Sequence, residues 1–474
     1  MVDHRDILIS DDVLGDPARV RTVLARRVDE LLSRGGDGVS DLHVIRLVVR
    51  IAAPDPHAWL AAQELMPKIY WHGRGDDRLT AAVGAADRCV GGRVDGFESL
   101  RSQLDVVLPG SDARVRYFGG FRFDLDAKTS AEWQPFGTFA FTLPRFVLMK
   151  HGEAAVLGCN LLLPRDVDRR AHILEEIEQL RFPVDPLDGA LPLPDSRSDT
   201  PDRDGWFDKL ARALDAIDQR REGLEKIVLA RRAAYEFSDR LDPITILKEL
   251  EKVTANCFHF AFQFGGDSAL VGATPERLFR RSGRRIWTEA VAGTRPRGET
   301  EAEDRGAVAS LLASEKDQRE HAYVRDSIRE ALEPLCDVFD IDAEASGLKL
   351  TRGWHLISRS EGLLKEGVHG SDVMRALHPT PAVGGYPTET ALRAIRDLEA
   401  FDRGWYAGPV GWIGSQGAEF AVALRCGLVR ANSLSLYSGA GIVRGSDAAS
   451  EWDEIEQKTS DFAKVFGLYA HDGS

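Results

Sequence analysis

The chain has 474 residues, of which 43% are hydrophobic and 29% are charged, a composition typical of a folded globular protein. This composition excludes a largely disordered chain, a collagen-like repeat and a coiled coil. The 61 basic and 75 acidic side chains give a formal net charge of −14, which argues against a nucleic-acid partner.

The cysteines and the N-terminal residues bear on the compartment in which the protein works. The five cysteines are far apart and include no C-x-x-C pair, so they indicate neither a disulfide scaffold nor a zinc site. The N-terminus is acidic where a secretion signal would be basic and then apolar. No apolar run approaches the roughly 20 residues of a membrane helix. We therefore expect a cytoplasmic protein without a membrane partner, and its size favours an enzyme.

The N-terminal part is predicted to contain a helix followed by strands. Apolar side chains recur with helical spacing over 17–32. Runs of β-branched and other apolar residues then predict strands over 43–51, 138–149 and 154–163.

A proline-rich stretch at 182–204 separates this part from the rest of the chain. It carries five prolines among Asp, Ser and Gly, and proline cannot donate to a helix or a sheet ladder. We expect a linker there, with an N-terminal subdomain at 1–204 and a catalytic region at 205–474. A long surface loop within one compact domain explains the same composition equally well.

The C-terminal part alternates strands with long helices. The patterns predict strands over 226–237 and 259–264, a helix over 320–335, and a hairpin formed by 419–429 and 433–443. Hairpins combined with long helices predict an α+β fold with large antiparallel or mixed β-sheets flanked by helices, rather than a Rossmann fold.

A glycine-rich run at 439–445 follows a predicted strand. Its spacing, G-x-G-x-x-x-G, differs from the dinucleotide-binding pattern, and no helix opens from it. Closely spaced glycines nevertheless indicate a backbone that another group approaches tightly, such as a substrate carboxylate.

The last predicted helix, with Ser450 as its N-cap, carries Glu451, Glu454 and Lys458 on one face. A solvated charged face with one salt bridge explains this pattern. Clustered carboxylates can equally hold Mg²⁺, and Glu320, at the expected start of another helix, is a candidate for the opposing carboxylate.

Three further residues have the chemistry of a catalytic or binding site. Lys226 shares a strand face with apolar residues, so it either reaches solvent or is desolvated, and desolvation lowers the pKa of a lysine toward that of a usable base. Glu276 follows a proline in a turn or at a helix start, where the helix dipole would also explain an acid. Arg425 has apolar neighbours in sequence and is costly to bury without an anion, so we expect a carboxylate partner.

These residues stand within motifs whose order resembles that of the chorismate-utilising enzymes, which include isochorismate, salicylate, anthranilate and aminodeoxychorismate synthases. The resemblance covers about 206–468 and is strongest to the isochorismate synthases. Its motifs, in chain order, are KIVLAR, GATPERLF, EAVAGTRPRG, KDQREH, GWHLISR, LHPTPAVGGYPTE, FDRGWYAGPVGW, FAVALRC, YSGAGIVRGSD and EWDEIEQK. The N-terminal part matches weakly, through YFGGFRFD. The resemblance implies the family's fold, that of anthranilate synthase component I.

The resemblance also implies catalytic and metal-binding roles. Lys226 is similar to the family's general base, which acts on the attacking water, and Glu276 to the general acid, which protonates the departing C4 hydroxyl. Glu320 and Glu454 match Mg²⁺ ligands, and Glu451 matches a position close to the metal.

A further set of positions matches those that surround the substrate in the family. The positions expected to hold carboxylates of chorismate are Gly293, Thr294, Arg425, Gly439 and Lys458, together with Tyr406. His355 matches an active-site histidine beside the ring and the metal. Ala382 matches a small residue typical of isochorismate synthases, where relatives often have Thr.

The expected function is therefore Mg²⁺-dependent conversion of chorismate to isochorismate, for menaquinone rather than siderophore biosynthesis. An ammonia-using synthase is disfavoured because Lys226 favours water as the nucleophile, so no obligatory amidotransferase subunit is expected. A salicylate synthase is disfavoured by Ala382. A catalytically silent binding protein with the same fold is disfavoured because every catalytic and metal position holds a competent residue.

Overall fold

The computed structural model describes residues 7–34, 42–91, 96–112, 114–298, 300–349 and 353–468. The first six residues, part of the acidic N-terminus, lie outside these ranges. Twenty-one strands and eleven α-helices are found in the described part of the chain. No helix there is long and apolar enough to cross a bilayer.

The strands of the N-terminal part are β1 Ile7–Leu14, β2 His43–Ile51, β3 Lys68–His72, β4 Arg78–Gly91, β5 Tyr117–Phe121, β6 Phe139–His151, β7 Ala154–Leu163 and β8 Ser196–Thr200. The later strands are β9 Lys226–Glu236, β10 Phe258–Gly265, β11 Ser268–Thr274, β12 Arg277–Ser282, β13 Arg285–Pro296, β14 Cys336–Ile341, β15 Ser346–Lys349, β16 Gly353–Leu364, β17 Gly385–Tyr386, β18 Pro409–Ile413, β19 Gly417–Val422, β20 Cys426–Arg430 and β21 Ser433–Val443. The helices are α1 Pro17–Ser33, α2 Pro56–Ala62, α3 Gly96–Val107, α4 Arg170–Glu178, α5 Arg203–Asp218, α6 Pro243–Val253, α7 Glu301–Ala313, α8 Glu315–Leu332, α9 Gly370–Leu377, α10 Thr388–Leu398 and α11 Ala448–Val465.

All of these strands belong to one sheet, in which two long arms and a short branch made of β7, β2 and β1 meet at β6. The first arm runs through β4, β3, β10, β11, β20, β21 and β9. The second arm runs through β5, β18, β19, β12, β13 and β16. Nearly all pairs are antiparallel, β1 with β2 being parallel. The expected α+β architecture with a large, mainly antiparallel sheet is confirmed.

The two faces of the first arm contribute to two hydrophobic cores. Phe260 and Phe262 lie in the larger core, which also contains Phe420 of the second arm, whereas Ala261 between them lies in the smaller core. This alternation follows from the two-residue repeat of a strand. Helices α1, α6 and α11 each contribute to the smaller core. The larger core therefore joins the two arms, and helices cover the other face of the first arm.

Strands from both sides of the proline-rich stretch pair directly with each other. β3 pairs with β10, and β5 pairs with β18. Within 182–204 itself, β8 pairs with β9. The division at 204 stays a prediction, but the sheet is continuous across it.

Several predicted elements are confirmed closely, and three differ in informative ways. The run 419–429 is two strands, β19 and β20, separated at Arg425, whose φ of 46° is incompatible with a continuous strand. Helix α8 begins at Glu315 rather than Glu320, because Ser314 caps it by accepting a hydrogen bond from the Asp317 N–H. Likewise Asp447, not Ser450, caps α11: its carboxylate accepts from the Ser450 N–H at 2.9 Å.

Candidate active site

A cavity of about 300 Å³ lies where the two arms meet helices α8 and α11. Twelve of the thirteen residues selected from the sequence line it: Glu276, Gly293, Thr294, Glu320, His355, Ala382, Tyr406, Arg425, Gly439, Glu451, Glu454 and Lys458. The thirteenth, Lys226, is bonded to one of these lining residues. Positions that span more than 230 residues of sequence are thus brought to one site.

Lys226 is the first residue of β9 and is almost fully buried, with 1% of its side chain exposed. Its backbone lies between Val443 and Tyr386 on the neighbouring strands. Its ammonium donates to Glu320 Oε1 at 2.8 Å. A Cβ atom at Gly441 would lie 3.0 Å from both Lys226 Cε and Glu320 Oε1, so a side chain at position 441 would disturb this pair.

Glu276 lies in the turn between β11 and β12. Of the two predicted positions, a turn or a helix start, the turn is therefore the correct one. Its N–H donates to Thr274 Oγ1 at 3.3 Å, and its carbonyl accepts from the Val422 N–H at 3.1 Å. Burial raises the pKa of its carboxyl to about 7, although the charges of Lys226 and Lys458 lower it. A substantial fraction of this carboxyl is therefore protonated at neutral pH.

Gly293 and Thr294 form an irregularity in the pairing of β13 with β16. The register shifts between Ala292 and Arg295, and Gly293 has a φ of 70°, which glycine adopts without strain. His355 Nδ1 lies 3.0 Å from the Gly293 carbonyl oxygen, to which it donates. Burial, followed by the charges of Arg425 and Lys458, lowers the pKa of His355 to about 4. His355 is therefore a neutral ring with Nε2 as an acceptor.

Arg425 lies at the break between β19 and β20, where its positive φ turns the chain. Its guanidinium Nη1 is 3.9 Å from Asp461 Oδ2, which bears out the expected carboxylate neighbour. Tyr406, which also lines the cavity, is buried and stacks on Tyr437 with ring centroids 5.5 Å apart. A Cβ at Gly439 would lie 3.2 Å from the Tyr406 hydroxyl. It would also lie 2.9 Å from the Leu229 carbonyl oxygen, so the neighbouring backbone leaves room only for glycine at 439.

Helix α11 presents Glu451, Glu454 and Lys458 to the cavity, as their spacing predicts. Lys458 Nζ lies 2.7 Å from Glu454 Oε1 and donates to the Gly439 carbonyl at 2.9 Å. Glu451 is buried, and burial, together with the charge of Glu454, raises its pKa.

The opposing carboxylate, Glu320, comes from α8. Burial raises its pKa, but the charge and hydrogen bond of Lys226 outweigh burial and lower the pKa overall. Hard carboxylate oxygens on two facing helices suit Mg²⁺, which binds few protein ligands and retains water. Glu320 and Glu454 are each bonded to a lysine here, so each would exchange that lysine for the ion.

Several lining residues were not selected from the sequence, although most lie in the quoted motifs. Arg295 pairs with Asp317 at 2.6 Å, and Lys316 lies 3.9 Å from Glu451. Tyr437 stacks on Tyr406, and Gly441 belongs to the glycine-rich run. The spacing of that run was a usable signal for Gly441. Lys316 and Asp317 belong to KDQREH, but within that motif only Glu320 was predicted to be a site residue.

The chain is similar to known proteins along most of its length. The chain matches the family described as "Chorismate binding enzyme" over residues 34–467. It is 35% identical over 378 residues to isochorismate synthase 2 of Arabidopsis chloroplasts, covering 78% of this chain and 66% of the plant protein. It is 36% identical over 366 residues to the salicylate biosynthesis isochorismate synthase of Pseudomonas aeruginosa, covering 75% of each chain.

A solved structure confirms the expected fold. The menaquinone-specific isochorismate synthase MenF of Escherichia coli superimposes with a TM-score of 0.79 at 28% identity. The superposition covers 94% of this chain and 99% of MenF.

Proposed function

The chain belongs to the chorismate binding enzyme family, and we propose that it converts chorismate to isochorismate by adding water at C2 with loss of the C4 hydroxyl group. One observation carries the proposal. A buried lysine and a carboxyl group whose pKa is about 7 are grouped at one cavity lined with cationic side chains. The names of the relatives support the same reaction.

The reaction needs a base and an acid at different carbon atoms of the ring. The forward reaction requires Lys226 as the neutral amine, released from its ion pair with Glu320, so that Nζ takes a proton from water as the water oxygen bonds to C2. The ring double bonds shift, the C4–O bond breaks, and Glu276 gives its proton to the departing hydroxyl, which leaves as water. Substrate and product are isomers, and the same two residues with exchanged protonation states catalyse the reverse reaction. We therefore expect an equilibrium mixture.

The cationic and polar lining residues suit a substrate with two carboxylates. Arg425 and the Tyr406 hydroxyl are proposed to bind one of them, beside the backbone of Gly439. The backbone at Gly293 and Thr294 is proposed to bind the other carboxylate. Neutral His355 lies beside this backbone, with Nε2 as a hydrogen-bond acceptor. Lys458 adds a positive charge at the helix α11 wall.

We also propose that Mg²⁺ is the cofactor, with Glu320 and Glu454 as its ligands and Glu451 beside them. The donor set supports this, because all three carboxylates line the cavity and the pKa of Glu451 is raised by burial and the neighbouring charge of Glu454. When bound, Mg²⁺ would neutralise and hold a substrate carboxylate.

We propose that the product enters menaquinone biosynthesis, and that no amidotransferase subunit is required. The near-complete superposition on the menaquinone-specific enzyme supports the first point. The Pseudomonas aeruginosa relative, named for salicylate biosynthesis, shows that a similar chain serves another route. Restoration of menaquinone in a bacterial strain lacking its own isochorismate synthase, without accumulation of salicylate, tests this choice.

The reaction is tested by incubating purified protein with chorismate and Mg²⁺, without ammonia, and separating the products by chromatography. Isochorismate in equilibrium with chorismate, lost when EDTA is added, is the expected result. Salicylate with pyruvate would contradict the expectation from Ala382. Turnover only after addition of ammonia or a glutaminase would assign the chain to the aminating branch and remove the role of Lys226.

A further inference from the structure

A second group of metal-ligating side chains lies outside the cavity described above. It consists of His72 at the end of β3, His259 in β10 and Glu251 in α6. His72 and His259 are directly opposite each other on paired antiparallel strands, so both side chains leave the same face of the sheet. Helix α6 packs on β10 and brings Glu251 to that face. These three side chains line a surface cavity together with Thr254.

The potential ligand atoms of the three residues converge. His72 Nδ1 is 3.4 Å, and His259 Nδ1 is 3.7 Å, from Glu251 Oε1. Within the described ranges, this is the one group of at least three His, Cys, Asp or Glu residues whose ligand atoms all lie within 4.8 Å of one another. Two ligand atoms bound at about 2.1 Å to a tetrahedral zinc ion lie about 3.4 Å apart. The observed separations are close to that value.

The hydrogen bonds of both histidines determine which ring nitrogen carries the proton. His72 Nε2 lies 3.0 Å from the Asp76 carbonyl oxygen, which accepts only, so Nε2 is protonated. His259 Nε2 lies 2.8 Å from Thr254 Oγ1, whose own proton is donated to the Leu250 carbonyl at 2.6 Å. His259 Nε2 is therefore also the donor.

Burial lowers the pKa of His259 to about 4, so its neutral ring directs the Nδ1 lone pair toward Glu251, whereas the hydrogen bond with Glu251 raises the pKa of His72. The His259 lone pair and the Glu251 carboxylate repel each other unless a cation lies among the three residues, either a protonated His72 or a metal ion that replaces its proton. His259 Nδ1 is buried and has no hydrogen-bond partner in the described part of the chain, and the whole residue is only 6% exposed. This arrangement leaves an acceptor nitrogen buried without a donor, which is costly.

The carboxylate of Glu251 is held in place by groups behind it. The Tyr70 hydroxyl donates to Oε1 at 2.7 Å, and His57 Nε2 lies 3.2 Å from Oε2. The rings of His57 and Tyr70 stack with centroids 5.0 Å apart. Supporting contacts of this kind orient the ligands of metal sites and set the histidine tautomers.

We propose that His72, His259 and Glu251 form a binding site for a divalent first-row transition metal, with Zn²⁺ as the ion best suited to it. Two imidazoles and one carboxylate favour such an ion over Mg²⁺, which prefers oxygen ligands. The surface cavity leaves the remaining coordination position to water or a small ligand. The ion would connect β3, β10 and α6, and the proposal is independent of the reaction at the other cavity.

The experiment uses the untagged full-length chain, stripped with a chelator and titrated with Zn²⁺ in a large excess of Mg²⁺. One tightly bound Zn²⁺ per chain, measured by mass spectrometry of the metal after dialysis, is expected. His259→Gln and His72→Gln should each weaken Zn²⁺ binding by about 100-fold. His151→Gln, at an exposed histidine, and Glu454→Gln, at the other cavity, should leave Zn²⁺ binding unchanged.

X-ray absorption at the zinc edge of the wild-type protein keeps the test independent of variant folding. Two imidazole ligands per zinc, together with loss of binding in the histidine variants, support the site. A zinc shell made of oxygen alone, or Zn²⁺ binding abolished by Glu454→Gln but not by His259→Gln, would assign the ion to the other cavity and overturn the proposal. Failure of the wild-type chain to retain Zn²⁺ would overturn the proposal and would show that a proton on His72 balances Glu251 instead.

Discussion

Two lysine–glutamate pairs face the same cavity and differ in their surroundings rather than in their geometry. Lys226 and Glu320 are 2.8 Å apart, on a strand and a helix that are distant in sequence, with 1% and 20% of their side chains exposed. Lys458 and Glu454 are 2.7 Å apart on a single helix, with 35% and 40% exposed. The two distances are nearly equal, but the free-energy cost of separating the charges is not. Water can replace the lost partner of Lys458 or Glu454, whereas it can scarcely do so for the buried Lys226.

This contrast defines two regions of the cavity. The deep region contains Lys226 and Glu320 and is rigid, and the wall formed by α11 contains Glu454 and Lys458 and is adaptable. The deep pair lies beside Gly441, where an added Cβ would crowd both of its members at 3.0 Å, and its lysine also lowers the pKa of Glu276. The pair on α11 lies at a wall where rearrangement around an ion or a substrate costs little. The proposed proton transfer thus takes place in the deep region, whereas the proposed Mg²⁺ site draws on both regions, with Glu320 from the first and Glu454 from the second.

The largest expected effect comes from Lys226→Ala. Turnover should fall by at least about 1,000-fold, because the proposed base is lost. The unfolding free energy should fall by about 3 kcal/mol, because Glu320 loses its buried partner. Chromatographic assays and urea unfolding measure the two effects, with Lys252→Ala, at an exposed lysine of α6, as the control. Mg²⁺-dependent binding of chorismate should persist in calorimetry, and an active Lys226→Ala enzyme would overturn the assignment of the base.

Glu276→Gln separates activity from stability in the deep region. Turnover should fall by about 100- to 10,000-fold, because an amide cannot serve as the acid. The carboxyl pKa of about 7 exceeds the ordinary value of 4.5, so wild-type stability is lost as the pH rises from 4.5 through 7. At pH 8 the variant should therefore be more stable than the wild type by up to about 3 kcal/mol.

Urea unfolding at several pH values measures the stability difference for Glu276→Gln. It should shrink toward zero at pH 4.5 and below, where the carboxyl is protonated in both folded and unfolded chains. A constant difference at all pH values would mean that the substitution acts through packing and not through the proton.

The pH dependence of the forward reaction should report the same group. Because Glu276 must be protonated while Lys226 is neutral, the pH profile of kcat should bend near pH 7, where the Glu276 carboxyl titrates. Steady-state rates of isochorismate formation at saturating chorismate and Mg²⁺ measure this profile. A profile without any bend near pH 7, or one whose bend persists in Glu276→Gln, would be incompatible with Glu276 as the acid.

The smallest change in the free energy of unfolding is expected from a substitution in the wall formed by α11. Glu454→Gln should raise the Mg²⁺ concentration for half-maximal activity by about tenfold or more, because a proposed ligand loses its charge. The unfolding free energy should change by less than about 1 kcal/mol, since the pair is exposed. Asp453→Asn, an exposed position of the same helix, is the matched control. An unchanged Mg²⁺ titration would place the metal elsewhere.

The elements that sequence patterns predicted well are those in which a local period decides the structure. The strand over 43–51 and the helix over 17–32 agree with β2 and α1 to within one residue. The interruption at Arg425 was not visible, because apolar residues continue on both sides of it and only the backbone angle reveals the turn. The start of α8 was missed for a different reason: the N-cap Ser314 precedes a strongly charged first turn without an apolar repeat.

The grouping of the active-site residues was predictable through motifs, whereas their electrostatic balance was not. The motif around Glu276 indicated an acid, but its raised pKa depends on burial that only the assembled turn, strands and helices provide. The His72, Glu251 and His259 cluster had no sequence signal. Its members are about 180 residues apart along the chain except for one short separation, and only the pairing of β3 with β10 makes them neighbours.

That pairing of early with late strands has a consequence for synthesis on the ribosome. β3 can pair with β10, and β5 with β18, only after the later strand has been synthesised. β18 follows β5 by almost 300 residues. Until then each early strand exposes an unpaired edge, a surface prone to join other chains. Closing such long loops is also slow. We therefore expect the nascent chain to depend on chaperones until its last third emerges, and a chain truncated after residue 204 to aggregate.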